Sequence, residues 1–152
     1  MTTGCGFHDL RLALTFEDHW LSSRCDTREL SFRIGSTESK DGGQIFTVDH
    51  FTIHENYTGK WDNDVAVVKL NKPITFGKNA KAIKLGTESL KLGTKGMIAG
   101  WGGRSEFDWG DPLMYKGALY GQLIGINDCL SSPVVYTDIP AYADWIKSAI
   151  QE

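Results

Sequence analysis

Hydrophobic and polar residues alternate along much of the chain with a period of two, which is typical of β-strands with one buried face. The alternation is clear over residues 11–15 and 30–34. Residues 44–54 are also rich in β-forming residues, but their hydrophobic phase slips near Asp49, which predicts a β-bulge. Residues 65–70 are almost continuously hydrophobic and predict an apolar strand that the following turn residues end.

The second half of the chain continues this pattern. Further strands are predicted over residues 95–101, 117–126 and 133–137, with turn residues between them. Many short strands at this spacing indicate a β-sandwich or a barrel. One segment has helical periodicity, with hydrophobic side chains at i, i+3, i+4, i+7 and i+8: Tyr142, Trp145, Ile146, Ala149 and Ile150. Asp138 is predicted to cap this helix, and Pro140 suits its first turn.

Length and charge limit the function classes. A chain of 152 residues predicts one domain or two very small lobes. The net charge of -3 gives no basic field that would point to nucleic acid or to an anionic membrane. No apolar run reaches the roughly 18 residues of a transmembrane helix. Residues 1–4 lack the basic and apolar stretches of a signal peptide, so we expect none in this chain.

The cysteines predict neither a metal site nor a cofactor, because the spacing of Cys5, Cys25 and Cys129 fits no zinc pattern. In an oxidising compartment Cys5 and Cys25 can close a short loop, which would stabilise the fold by about 3 kcal/mol in the chain-entropy model. Cys129 is then left over. The triplet that begins at Asn56 fits the N-glycosylation acceptor pattern, which matters only if the chain is secreted.

Two residues suggest acyl-transfer chemistry. His19 follows a predicted strand that ends at Thr15, and it is a candidate general base. Asp64 lies at the mouth of the apolar strand, where a semi-buried carboxylate can orient an imidazole. None of the ten serines lies in a Gly-x-Ser-x-Gly or Gly-Asp-Ser-Gly-Gly setting. Ser105 is the nearest substitute, and a polar turn residue is the better interpretation of it.

Several motifs, in chain order, resemble the trypsin/chymotrypsin family of serine proteases. Residues 14–19 resemble Leu-Thr-Ala-Ala-His with one residue inserted, and residues 62–66 resemble Asp-Asn-Asp-Ile-Ala. Residues 100–102 match a Gly-Trp-Gly landmark, and Trp145 matches the C-terminal helix. The resemblance implies an all-β, trypsin-like double β-barrel with a C-terminal α-helix. The barrels would form one domain, residues 1–152.

The resemblance also implies how the two barrels differ. The first is nearly complete, over about residues 5–85, and the second is reduced, over about residues 86–152. His19 and Asp64 become a vestigial base and orienter, and Gly110 and Asp111 become a remnant of the oxyanion loop. Secretion and a bridge between the first two cysteines follow from the family, whereas a cofactor does not.

The chain departs from the family in the segments that would carry the nucleophile and line the specificity pocket. The family continues from Gly-Asp into Ser-Gly-Gly-Pro-Leu, but here Asp111 is followed directly by Pro112. Only residues 103–109 remain of the long stretch that separates Gly-Trp-Gly from that motif. A Ser-Trp-Gly strand should follow residues 125–126, and it is absent. The sequence therefore lacks the nucleophile, and its specificity pocket is incomplete.

Three functional hypotheses remain open. In the first, the chain is an inactive homologue of a serine endopeptidase that acts as a secreted binding or decoy protein towards a protein partner or a protease inhibitor. In the second, it belongs to an active serine endopeptidase whose sequence here lacks segments. In the third, it is an unrelated β-rich interaction module. The first is favoured because loss of the nucleophile costs about a millionfold in turnover in a protease with the same triad.

Overall fold

The computed structural model describes residues 12–15 through their backbone and residues 30–38, 40–100, 110–125 and 133–151 in full. Within these ranges the chain forms nine strands, one 3₁₀ turn and one α-helix. The strands are β1 (Leu12–Thr15), β2 (Ser31–Ile34), β3 (Gln44–Ile53), β4 (Ala66–Leu70), β5 (Lys84–Leu85), β6 (Met97–Ile98), β7 (Pro112–Tyr115), β8 (Ala118–Gly125) and β9 (Val135–Asp138). The 3₁₀ turn is Ile139–Tyr142, and the helix α1 is Ala143–Ile150.

The first sheet has the order β1-β4-β3-β2, and all its neighbours are antiparallel. The long strand β3 pairs with β2 through its first half and with β4 through its second half. Its register to β4 shifts between Val48 and His50. The predicted bulge near Asp49 is therefore confirmed, and it lets one strand serve two partners.

Strand β4 is hydrophobic at every position except Lys69, and it packs on both of its faces. Val68 and Leu70 lie in the core of the first sheet. Val65, just before the strand, and Val67 lie in a second core that the terminal helix covers. Successive side chains of a strand point to opposite faces, so one short strand joins two cores.

The second sheet has the order β5-β8-β7-β6, and β9 also pairs with β8. Its core side chains pack with those of β4 and of the helix in one cluster: Leu119, Ile124, Ile139, Ile146 and Ala149. The parallel pairing of Lys84 with Ala118 places β5 in this sheet. The lobe limits of about 5–85 and 86–152 stay a prediction.

Strand β7 was not expected from the sequence. It is joined to β8 by the two-residue turn Lys116–Gly117, with φ angles of 48° and 77°. Positive φ at both central positions defines the tight turn whose twist matches that of antiparallel strands. Of the strand predicted over residues 95–101, the described part forms β6 only at Met97–Ile98.

The terminal helix is present, but Asp138 does not cap it. Its side chain makes no capping hydrogen bond, and the turn Ile139–Tyr142 separates it from α1. The Asp138 carboxylate instead accepts a hydrogen bond from Ser89 Oγ. Pro140 lies in the first turn, as predicted. Among the residues that the structure describes, no helix has the length and hydrophobicity to cross a membrane.

Candidate functional site

Asp64 lies at the junction of the two sheets. Its side chain is buried, and the residue is 5% exposed. The carbonyl oxygen of Asp64 accepts a hydrogen bond from Thr137 Oγ1 of β9 at 2.8 Å. Asn63 has a φ of 57°, and its carbonyl oxygen accepts the Val65 N–H at 2.8 Å. This tight turn fixes the direction in which the chain presents the Asp64 side chain before it enters β4.

The loop that precedes Asp64 is attached to the strand and to the terminal helix. The His54 N–H donates to the Val65 carbonyl at 3.1 Å. Asn63 Nδ2 donates to the Asn56 carbonyl at 3.1 Å, which closes the loop on itself. Tyr142 Oη donates to Asn63 Oδ1 at 3.3 Å. The loop therefore holds Asp64 from one side, and the hydroxyl of Thr137 holds it from the other.

His54 is a structural residue of this loop. Only 9% of its surface is exposed, and Nδ1 accepts the Asn56 N–H at 3.2 Å. Its ring lies edge-on to Tyr142 at 5.5 Å between centroids and tilted against Trp145 at 4.8 Å. In the sequence it is the last residue of a β-rich stretch, and nothing there indicates that a helix far along the chain buries it.

Glu55 extends the same contact at the surface. Trp145 Nε1 donates to Glu55 Oε2 at 2.8 Å. The pKa of Glu55 is lowered from 4.5, first by a hydrogen bond from its own backbone N–H and then by the one from Trp145. Both donors favour the charged form of the carboxyl group. The loop thus carries an anion that is tied to the helix.

The position of His19 lies outside the described residues, but the strand that leads to it is described. β1 is antiparallel to β4, with Leu12 opposite Lys69 and Thr15 opposite Ala66. The chain therefore leaves β1 at the end of β4 that Asp64 occupies. This register is the one that a His19–Asp64 pair requires, and the pair itself stays a prediction.

Gly110 and Asp111 lie just before β7, and both are hydrogen-bonded to Leu123 of β8. The Gly110 N–H donates to the Leu123 carbonyl at 2.9 Å, and the Leu123 N–H donates to the Asp111 carbonyl at 3.0 Å. The next residue, Pro112, is opposite Gln122 as the first residue of β7. An oxyanion site needs free N–H donors that converge on one point. Here the N–H of Gly110 is used in the ladder, and Pro112 has none.

The charge of Asp111 also affects a neighbouring phenol. The pKa of Tyr136 is raised above 10, first by burial and then by the negative charge of Asp111. Both effects disfavour a phenolate. Tyr136 lies on β9, opposite Leu123, so this interaction connects the start of β7 to the far side of β8.

Trp61 covers the end of β8. A Cβ atom built on Gly125 would lie 2.8 Å from the indole Cε2 of Trp61, so only glycine allows this approach. The indole belongs to the loop of the first lobe, and half of Trp61 remains exposed. By resemblance to the family, a segment that pairs with substrate should continue from the end of β8. In this structure that end lies against the loop that carries Asp64.

The other predicted site residues divide into two groups. Asn56 and Thr58 are exposed, so the acceptor triplet is accessible. The remaining candidates lie outside the described residues: Cys5, Cys25, Ser105 and Cys129. In the described part of the chain, no group of three or more His, Cys, Asp or Glu side chains can hold a metal ion.

Comparison with known proteins assigns the family. The family model described as Trypsin matches residues 19–109, which is more than half of the chain. The chain belongs to the trypsin family. It is 31% identical to Trypsin epsilon of Drosophila erecta over 85 residues, which are 55% of this chain and 33% of that protein. It is 31% identical to Trypsin iota of Drosophila melanogaster over 119 residues, which are 78% of this chain and 46% of that protein. The chain thus spans a third to a half of these relatives.

Solved structures give the same fold. A scabies mite inactivated protease paralogue, S-D1, superposes with a TM-score of 0.80 at 17% identity, covering 94% of this chain and 84% of that one. Kallikrein-related peptidase 10 superposes with a TM-score of 0.75 at 24% identity, covering 94% and 86%. The predicted all-β, trypsin-like double barrel is confirmed. The hypothesis of an unrelated β-rich module is wrong.

Proposed function

We propose that this member of the trypsin family does not hydrolyse peptide bonds and acts as a binding or decoy protein. The observation that carries the proposal is the direct passage from Asp111 into Pro112 within the β7–β8 ladder. The family places its nucleophilic serine at this junction. Here no residue stands between the two in the sequence, and hydrogen bonds to Leu123 tie both Gly110 and Asp111 to β8.

The loss of turnover expected without a nucleophile is large enough to favour no peptide hydrolysis over weak peptide hydrolysis. Loss of the nucleophile lowers turnover by about a millionfold in a protease with the same triad, or about 8 kcal/mol in the barrier. The residual rate in that case comes from an intact oxyanion site and intact substrate binding. In this chain the Gly110 N–H is used in the ladder, and Trp61 covers the end of β8. These two contacts support the proposal that both sources of residual rate are also reduced in this chain.

The remaining site residues fit a vestigial role. Under this proposal His19 and Asp64 are a base and an orienter without a nucleophile, and Gly110 and Asp111 are what remains of the oxyanion loop. The two barrels are the lobes of about residues 5–85 and 86–152. The scabies mite neighbour, described as an inactivated protease paralogue, offers a precedent for such a chain on this fold.

Family membership also favours secretion. In that setting Cys5 and Cys25 form a disulfide, and the exposed Asn56 triplet is a glycosylation acceptor. A retained fold without chemistry can bind what an active relative binds, so the partner we propose is a protein substrate or a protease inhibitor. No cofactor is needed for this role.

The test uses a fluorophosphonate that labels activated serines, together with turnover of a peptide ester. Purified chain and a matched Asp64→Asn variant are prepared identically, with trypsin as the positive control. We expect neither label nor turnover from either preparation. Turnover that is equal in both preparations comes from a contaminant, because loss of the orienting carboxylate costs a true triad about 10⁴-fold. Label or turnover that Asp64→Asn abolishes would refute the proposal.

The second candidate is an active serine endopeptidase of which this sequence lacks segments. It is favoured by the lengths of the relatives, of which the chain spans 33% and 46%. Sequencing of the genomic locus and its transcripts decides between the two. A segment that encodes Gly-Asp-Ser-Gly-Gly, joined in frame after residue 109 in a major transcript, supports this candidate. If all transcripts encode Pro112 directly after Asp111, this second candidate is contradicted.

A further inference from the structure

Positive charge is concentrated in one stretch of a chain that is acidic overall. Residues 71–100 contain six lysines and a single acidic residue, Glu88, and therefore carry a net charge of +5. The whole chain carries -3, so the remainder carries -8. All six lysines are exposed: Lys72, Lys78, Lys81, Lys84, Lys91 and Lys95. A local positive potential of this kind is not visible in the net charge.

The second sheet brings lysines from separate segments to one end. Lys84 is the first residue of β5 and lies opposite Ala118, the first residue of β8, because the two strands are parallel. Lys116 is in the turn between β7 and β8, two residues before Ala118. Both lysines therefore lie at the end of the sheet where the β7–β8 hairpin turns.

A third lysine reaches the same end through β6. This strand is antiparallel to β7, with Met97 opposite Met114. If this register is extended by two residues towards the turn, Lys95 lies opposite Lys116. We call Lys84, Lys95 and Lys116 the lysine end of the sheet. Neighbouring strands are about 4.8 Å apart, so three strand spacings separate β5 from β6 by about 14 Å.

The charges of the lysine end are not neutralised by neighbouring groups in the described part of the chain. Ion pairs in that part join His54 to Glu55 and Asp144 to Lys147, and neither involves the lysine end. Asp111 lies at the opposite end of β7, five residues before Lys116, which is about 16 Å at 3.3 Å per residue. Lys116 Nζ lies 5.1 Å from the centre of the Tyr115 ring, a contact that stabilises the cation without cancelling its charge.

We propose that the lysine end binds a sulfated polysaccharide. This partner is additional to the protein partner proposed above. Cations in a row of about 14 Å fit a linear polymer with repeated anions. Lysine offers hydrated point charges, and the bidentate arginine fork that suits paired phosphate oxygens is absent from residues 71–100. Tyr115 and Tyr120 pack edge-to-face at 5.8 Å, so their rings form no open platform for stacking bases.

The experiment measures binding of a size-defined heparin octasaccharide to the full chain at several salt concentrations. The test variant is Lys84→Ala/Lys95→Ala/Lys116→Ala. The control variant, Lys40→Ala/Lys60→Ala/Lys147→Ala, removes the same charge from other exposed positions. We expect the test variant to bind about tenfold more weakly or worse, since three exposed ion pairs with the polymer are lost. The slope of log K against log salt should fall by about two to three. The control variant should bind as the wild type does.

Three results would overturn the proposal. The first is no saturable binding of the octasaccharide by the wild type at physiological salt. The second is an equal loss in both variants, which reports net charge alone. The third is binding of a single-stranded oligonucleotide, or of anionic vesicles, that is as tight as that of the octasaccharide. Thermal unfolding verifies that both variants fold. If the triple variant does not, Lys95→Gln, which lies outside the strands, tests the same contact.

Discussion

Replacement of Thr137 by valine tests whether the hydrogen bond across the sheet junction stabilises the fold. Thr137 is 4% exposed, and its Oγ1 donates to the Asp64 carbonyl at 2.8 Å. Valine keeps the branched shape that suits β9 and removes only the hydroxyl. The Asp64 carbonyl then loses this donor at a residue that is 5% exposed, and removal of one partner of a buried hydrogen bond costs about 1–3 kcal/mol.

A matched substitution separates burial from the bond itself. Thr94 Oγ1 also donates to a backbone carbonyl, that of Lys91, at 2.7 Å. That turn is exposed, so water replaces the hydroxyl and Thr94→Val should cost about 0.5 kcal/mol or less. The two substitutions remove equivalent atoms and bonds of nearly equal length. Their difference in stability therefore compares a buried carbonyl that loses this donor with an exposed one that keeps the Thr94 N–H as a donor at 3.0 Å.

Urea unfolding, followed by tryptophan fluorescence and by circular dichroism, gives both free energies. With an m-value of about 2 kcal/mol/M, Thr137→Val should lower the midpoint by about 0.5–1.5 M. The folding equilibrium would fall by about 5- to 150-fold. If Thr137→Val costs no more than Thr94→Val, the bond to Asp64 does not hold the two sheets together and the reasoning is wrong.

Two further substitutions test other contacts of the same structure. Gly86→Ala should cost about 1–3 kcal/mol, because its Cβ would lie 2.6 Å from the Tyr120 ring, while Gly77→Ala, with open space around it, should be nearly neutral in the same unfolding assay. Trp145→Phe should raise the pKa of Glu55 towards 4.5 in an NMR titration, because the indole N–H is lost. A lowered pKa adds stability at neutral pH that is lost as pH falls below about 4.5, so this variant should be less sensitive to acid than the wild type.

The features that the sequence predicts well depend on short-range patterns. The hydrophobic run that contains β4, the bulge in β3 and the stripe of α1 are each encoded in about ten consecutive residues. The role of Asp64 as a buried group before β4 is likewise visible from its neighbours along the chain. The motifs that indicate the family are also local, and comparison with known proteins confirmed that assignment.

The features that the sequence does not predict depend on partners far along the chain. β7 is short and begins with Pro112, so it is recognised as a strand only through its pairing with β8. Asp138 precedes a helical pattern, but Ser89 engages its carboxylate instead. His54 ends a β-rich segment, and its burial depends on a helix about 90 residues later. None of these partners can be identified from local spacing.

The hydrophobic core shows how the two sheets are held together. The cluster between the sheets contains Val65 and Val67, from the chain at β4, and Leu119, Ile124 and Ile146, from β8 and α1. Asp111 and Pro112 are not part of this cluster. Under the proposed function, the segments that present a nucleophile and line a pocket can therefore be absent while this cluster still joins the two sheets. Under the proposed function, Asp64 is a vestigial orienter whose backbone carbonyl still connects the two sheets through Thr137.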